Sequence, residues 1–264
     1  EKPSTKKCAL LFFGLAKHFN DIVYPSIKKY ILNVNLNCDV YAHTYDIKVI
    51  TNPRNEEDRT PINPLEVYSM THNVVLDTLE SVSEKIDFDC YHKHYYQTGG
   101  LYPYSMDNSL KQGFSIQRVW DSMPSKYERL GLFRLDVLYT EPIYIQNGDA
   151  VIPDFHHHRG LNDRAFYGLY KWARHWATNR LKKLAIRSEQ DNVYNMQSEG
   201  LVKYLLRDVP VELKPICFHG VRATGKIMND CKPTPSSSKT FTKPHKTKTY
   251  HSSKWEHFSS SFHN

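Results

Sequence analysis

"KKCALLFFG", residues 6–14, decides the fold: after two lysines an unbroken apolar run extends from Cys8 to Phe13 and stops at Gly14. A strand with one wet face alternates apolar and polar residues, whereas a strand covered on both faces reads as a continuous apolar run. The run therefore predicts a first strand inside a parallel sheet. Next, "YPSIKKYILNVN" (residues 24–35) places Ser26 as an N-cap ahead of Ile27, Tyr30 and Ile31 at helical spacing, and "CDVYAHTY" (residues 38–45) reads as a second short strand. Strand, helix, strand opens a doubly wound α/β domain, in which ligands lie at the carboxyl ends of the strands. Gly14 to Lys17 and His43, Thr44 and Tyr45 fall at those ends, so each is either an ordinary loop residue or a contact to a nucleotide.

The chain has 264 residues with 40% apolar content, enough to bury a sizeable core. Its formal charge of +7 is unevenly placed: residues 232–264 carry six lysines and one glutamate, which leaves only +2 on residues 1–231. A basic nucleic-acid groove is therefore not expected in the folded part. We divide the chain into a domain at 1–231 and a basic tail at 232–264, whose Ser, Thr, Lys and His bias with scattered aromatics predicts disorder. Cys8, Cys38, Cys90, Cys217 and Cys231 are odd in number and lack CxxC spacing, so they read as buried thiols rather than a zinc or disulfide framework. No run approaches the roughly 20 apolar residues of a membrane helix, so no span is expected. The chain opens on Glu1, and its compartment is expected to be secretory (Golgi) if an anchor precedes it and cytoplasmic otherwise.

Proline-rich residues 51–65 read as a surface excursion, because apolar pattern resumes on both sides. "SMDNSLKQGFSIQRVWDSM" (residues 105–123) aligns Met106, Leu110, Gly113, Ile116, Trp120 and Met123 on one face, an amphipathic core helix headed by Ser105. In "GLFRLDVLYTEPIYIQNGDAVIPDF" (residues 131–155) a strand is followed by two β-rich runs, and Asn147-Gly148 between them predicts a hairpin.

The embedded "FRLDVLY" (residues 133–139) sets Arg134 and Asp136 two apart in an apolar strand, hence on one side of the pleat. Either the two simply pair with each other, or the strand end carries them into a polar site. In the second case Asp136 suits a divalent cation through its hard oxygens and Arg134 suits a phosphate, the combination a nucleoside diphosphate requires.

The ordered series "CALLFFGLAKHF", "CDVYAHTY", "SLKQGFSIQRVW", "FRLDVLY", "AVIP", "GLNDRAFYG" and "SEGLVKYLL…FHGVRATG" resembles uncharacterised glycosyltransferase-like proteins of algae, plants and large algal viruses, from about Lys7 to Gly225. The resemblance implies a GT-A-like, Rossmann-like fold: a doubly wound mixed sheet flanked by helices. It implies transfer of a sugar from a nucleotide sugar donor to an acceptor hydroxyl on a carbohydrate or glycoprotein. It also implies a divalent cation, Mn²⁺ or Mg²⁺, held by an Asp-x-Asp at a strand end. The matching place reads Arg134-Leu135-Asp136, with one carboxylate missing, so metal dependence stays open and Arg134 stands where a metal-recruiting Asp would be.

In "GLNDRAFYG" (residues 160–168) an amide, a carboxylate and a guanidinium precede Phe166, Leu169, Tyr170, Ala173, Trp176, Ala177 and Leu181, which recur at helical steps. Asn162 is expected to cap a helix starting near Asp163, which puts Asp163 and Arg164 at a helix N-terminus facing the cleft. Asn162, Asp163 and Arg164 are the expected catalytic residues, Asp163 as base or acceptor-orienting carboxylate and Arg164 touching the diphosphate or locking Asp163; the alternative is a capping Asp163 and a solvated Arg164. Adjacent residues diverge, so the run His156, His157, His158 reads less as a zinc site than as a loop in which His158 contacts donor or acceptor. Near the end, a capped helix runs into a strand, and Arg222 and His219 are either donor-phosphate contacts or surface residues. The rival reading is a catalytically silent nucleotide- or sugar-binding GT-A scaffold acting as a binding module.

Overall fold

The computed structural model describes residues 7–89, 91, 103–124, 126–158, 160–183 and 198–231. In chain order its strands are β1 (Cys8–Phe13), β2 (Cys38–Tyr45), β3 (Val49–Asn52), β4 (Glu57–Pro61), β5 (Val74–Asp77), β6 (Arg129–Arg134), β7 (Val137–Tyr139), β8 (Ala150–Pro153), β9 (Ala165–Leu169), β10 (Glu212–Lys214) and β11 (Phe218–Gly220). Seven of them form one sheet in the order β10-β8-β9-β6-β1-β2-β5, and β3-β4 and β7-β11 are two-stranded ribbons. The sheet is mainly parallel, with β9 running against both β6 and β8.

Helices cover both faces. On one side α1 comprises the abutting segments Phe19–Val23, Tyr24–Ile27 and Lys28–Leu32. On the other lie α3 (Pro103–Asp121), α4 (Tyr170–Thr178) and α5 (Ser198–Leu205), while the short α2 (Leu79–Ser83) follows β5. The apolar run of β1 serves both layers: Ala9, Leu11 and Phe13 join the core beneath α3 and α4, and Cys8, Leu10 and Phe12 the core beneath α1. Burying both sides of a central strand is what the continuous hydrophobic stretch demanded.

Several expectations are corrected. Ser26 is no N-cap but lies inside α1, donating to Val23 O (2.7 Å) and accepting from Tyr139 N (3.1 Å). The helix starts earlier because Phe19, Val23, Ile27 and Ile31 are all fully buried at steps of four, a spacing accommodated by its wide π-wound turns. The excursion at 51–65 folds back as β3 and β4 and delivers the buried Glu57 to the interior. Asn147-Gly148 makes no hairpin: Ile143 N donates to Tyr30 O (2.9 Å) and Ile145 N to Asn35 Oδ1 (3.2 Å), so this stretch is held by α1 and its following turn instead of a partner strand. Residues 165–169 are a strand, not the start of a helix, because Phe166 pairs in register with Leu132 and its apolar phase only coincides with that of α4. Cysteines form two disulfides, Cys8–Cys38 across paired residues of β1 and β2, and Cys217–Cys231 around the last ribbon. Among the described residues no helix is long and apolar enough to cross a membrane. Cys90 and the tail at 232–264 lie outside the described residues.

Candidate functional site

The carboxyl ends of β1, β2, β5, β6, β8 and β10 share one rim, and because β9 is antiparallel its amino end, Arg164 and Asp163, joins them there. A mainly parallel sheet collects loops this way, which is why such rims bind ligands.

At the end of β6 the chain breaks into a turn at Leu135-Asp136, correcting the single strand expected over 133–139. Arg134 Nε and Nη2 donate to Asp136 Oδ1 and Oδ2, both at 2.7 Å, so the two residues pair and also sit at the rim. Burial disfavours the Asp136 charge, but Arg134, Lys17 and Arg164 outweigh it and hold the carboxyl below its usual range. Arg134 also acts on Asp163, so the two acidic residues flank one guanidinium.

Asp163 is buried (5% exposed). Burial raises its pKa, yet Arg134, Arg180, the Ser198 hydroxyl and Arg164 together lower it, leaving a carboxylate at neutral pH. The helix start it meets is that of α5: Ser198 donates to it, and Leu161 N donates to Glu199 O at 2.9 Å. A Cβ on Gly160 would lie 2.0 Å from the Glu199 carbonyl, so glycine permits this approach of loop and helix. Glu199, unremarked in the sequence, is pushed up to about 7 by burial and then by the Asp163 charge. Arg180, also missed, is buried against the Trp176 ring at 3.9 Å and is pushed down to about 10 by burial. Among the described residues its Nε and Nη2 have no hydrogen-bond partner.

Asn162 is a bracket rather than a helix cap or an open catalytic amide: it is 1% exposed, Oδ1 accepts from Arg164 N (2.9 Å), Nδ2 donates to Phe155 O (3.0 Å), and its own N–H donates to His157 Nδ1 (3.2 Å). This Asx turn aims Arg164 at Asp230, with Nη1 at 2.5 Å from Oδ2. Gly220 N (2.8 Å) and His156 Nε2 (3.0 Å) also donate to Asp230, and His158 donates in turn to His156. His158 therefore stands exposed at the end of a chain leading to Arg164. His219 accepts from Asp230 N (3.3 Å) on the same segment. The sulfurs of Cys217 and Cys231 beside it are bonded to each other, so they offer no thiolates to a metal.

Across the rim, Gly14 adopts φ +101°, and a Cβ built there meets no atom within 4 Å, so its backbone borders open space. Lys17 is buried in an ion pair with Glu57 (3.0 Å), whose Oε1 also accepts from Ala223 N (2.7 Å). His18 donates to Ala223 O (2.9 Å), tying the β1 loop to Arg222 and its neighbours. Arg222 is half-buried, lies in the field of Asp136, Glu57 and Asp230, and among the described residues its guanidinium makes no hydrogen bond or ion pair.

His43 and Thr44 are corrected as donor contacts, since both are 0% exposed. Among the described residues the Thr44 hydroxyl has no partner. Burial lowers the pKa of His43, opposed by Asp77, and its neutral ring completes a directed chain. Gly14 N donates to Ser115 Oγ (2.9 Å), Ser115 meets His43 Nδ1 (2.7 Å), and His43 Nε2 donates to Asp77 (3.1 Å), which Arg118 Nε also holds (2.5 Å). On the same face of α3, Gln112 Nε2 donates to Asp163 O at 2.8 Å. One helix thus fixes both sides of the site, Gly14 through Ser115 and Asp163 through Gln112.

The residues at Asp136 do not fit a divalent cation. Both its oxygens already accept from Arg134, and four cationic side chains, Arg134, Lys17, Arg164 and Arg222, surround that single carboxylate. A divalent cation at a diphosphate needs one or two carboxylates free to coordinate it, with waters and phosphate oxygens completing the shell, and neither oxygen of Asp136 is free.

No family model and no curated protein matches the chain. Among solved structures it is similar to mouse xyloside xylosyltransferase 1 in its apo form, with a TM-score of 0.34 and 11% identity over 80% of this chain and 85% of that one.

Proposed function

We propose that this protein is a glycosyltransferase of GT-A-like architecture, moving a sugar from a nucleoside-diphosphate-sugar donor to the hydroxyl of a carbohydrate or glycoprotein acceptor. The observation that carries this reading is the meeting of Asp136 and Asp163 around Arg134 at the carboxyl ends of parallel strands, beside the open backbone of Gly14. The ordered sequence resemblance from Lys7 to Gly225 supports it separately.

In this reading the acceptor oxygen bonds to the anomeric carbon while the bond from that carbon to the diphosphate breaks, its electron pair staying on the phosphate oxygen. The acceptor proton passes to a carboxylate, and the negative charge growing on the diphosphate needs cationic neighbours. Asp163, ionised and pinned by Gln112 and Ser198, orients or deprotonates the acceptor. Arg222 and Arg134 face the leaving group. Two disulfides support residence in an oxidising compartment, as in the secretory lumen. Nucleic acid is no partner in this reading, because the basic charge resides in the tail.

A panel of nucleotide sugars tests the proposal. Release of nucleoside diphosphate that falls at least about a hundredfold in Asp163→Asn supports it; neither turnover nor thermal stabilisation with any donor refutes it. The engagement of Asp136 by Arg134 favours one second reading, a silent sugar-nucleotide binder, which predicts stabilisation without turnover.

A further inference from the structure

We propose that this site takes a nucleoside diphosphate without a divalent cation, Arg222 meeting the diphosphate charge with Arg134 and Lys17 behind it. The inference rests on the donor reading given above and concerns how the same site neutralises its ligand.

It starts from the carboxylate oxygens near Asp136. Both oxygens of Asp136 accept from Arg134, both of Asp230 accept from His156, Arg164 or Gly220, and Glu57 Oε1 accepts from Lys17 and Ala223. Among the described residues, Oε2 of Glu57 is the one oxygen of these three carboxylates without a hydrogen-bond partner. A divalent cation at a diphosphate is held by one or two free carboxylates, with waters and phosphate oxygens completing its shell, and here it would have to displace Arg134 from Asp136 or Arg164 from Asp230. An anion finds the reverse.

The cations are not equally available. Lys17 is committed to Glu57, Arg134 to Asp136 and Arg164 to Asp230, whereas the Arg222 guanidinium is uncommitted among the described residues. It sits in a segment that His18 ties to the β1 loop and that Val221 N ties to Asp136 O (2.8 Å), so the guanidinium lies in the field of Asp136 at the end of β6. A guanidinium offers several donors in one plane, the geometry that phosphate oxygens match in pairs. Departure of the nucleoside diphosphate from the anomeric carbon needs its charge met as the bond breaks, and a fixed guanidinium does this with no metal in the step.

The experiment is calorimetric titration of the full chain with uridine, guanosine and adenosine diphosphates, in EDTA and in Mn²⁺, together with a Mn²⁺ titration of the free protein followed by electron paramagnetic resonance. We expect one of the nucleotides to bind in EDTA at least as tightly as in Mn²⁺, no specific Mn²⁺ uptake by the free protein, and at least about a tenfold weaker affinity in Arg222→Gln, with Arg222→Lys intermediate. Melting curves of both variants confirm folding, and the Lys variant carries the test if the Gln variant unfolds. Binding that appears only with Mn²⁺, Mn²⁺ uptake lost in Asp136→Asn, or EDTA-state binding indifferent to Arg222 overturns the inference while leaving the nucleotide reading intact. Failure of all three nucleotides in both media removes the donor reading itself, and this inference with it.

Discussion

Arg134 grips Asp136 with two 2.7 Å hydrogen bonds at the point where β6 turns out of the sheet, and its charge also reaches Asp163 on the neighbouring antiparallel strand. A single guanidinium thus organises both acidic residues. Replacing Asp136 by Ala leaves a half-buried arginine unpaired, and we expect a loss of roughly 2–3 kcal/mol, somewhat below that for a fully buried pair. Urea denaturation checks this; an unchanged midpoint would mean that water replaces the carboxylate at no cost.

Ser115 links the Gly14 amide to His43. Ser115→Ala removes the acceptor for a backbone N–H and the partner of a buried imidazole nitrogen, costing about 1–3 kcal/mol. Hydrogen exchange at Gly14 should accelerate, and nucleotide affinity should fall more than the melting temperature implies. Exchange at the wild-type rate would show that the chain does not position Gly14.

Glu199 sets a pH dependence of known sign. Its pKa rises from 4.5 to about 7 in the folded protein through burial and the Asp163 charge. A raised pKa contributes stability that is complete below the unfolded value and is lost as pH climbs through the folded one. Between pH 4.5 and about 7 this group therefore destabilises the fold progressively. Glu199→Gln should remove that decline, gaining on the order of 1–2 kcal/mol at pH 8 with partial exposure allowed for. Parallel stability–pH curves for the variant and wild type would contradict the Asp163–Glu199 pairing.

Cys8, Cys38, Cys217 and Cys231, four of the five cysteines in the sequence, are consumed in two disulfides. Thiol titration of the denatured, unreduced protein should find one reactive group per chain. A count of five would mean that the pairs are not formed. Reduction should loosen the segment bearing Arg222 and Asp230, read as faster proteolysis after Gly220.

The sheet was legible because burial on both faces writes itself into one run, Cys8 to Phe13, and because the amphipathic period of α3 is long. The rim was legible in part: Gly14, Lys17, Arg134, Asp136, Asp163, Arg164 and Arg222 do gather at the strand ends. Phe166 misled, since a strand residue that stacks on Trp176 of the next helix falls into that helix's apolar phase. Glu57, Ser115, Gln112, Arg180 and Glu199 were invisible for another reason. Each acts on a residue remote in sequence, such as Ser115 on Gly14 or Glu57 on Lys17, and one-dimensional spacing carries no trace of such contacts. The cysteine pairing shares this cause: Cys8 and Cys38 meet only through the register of two strands.

The most direct test is a crystal structure of the protein with a nucleotide sugar bound. The account predicts a diphosphate between the Gly14 backbone and the Arg222 guanidinium, with the sugar towards Asp163. A nucleotide seated away from this rim, with Asp163 distant from the anomeric carbon, would contradict it.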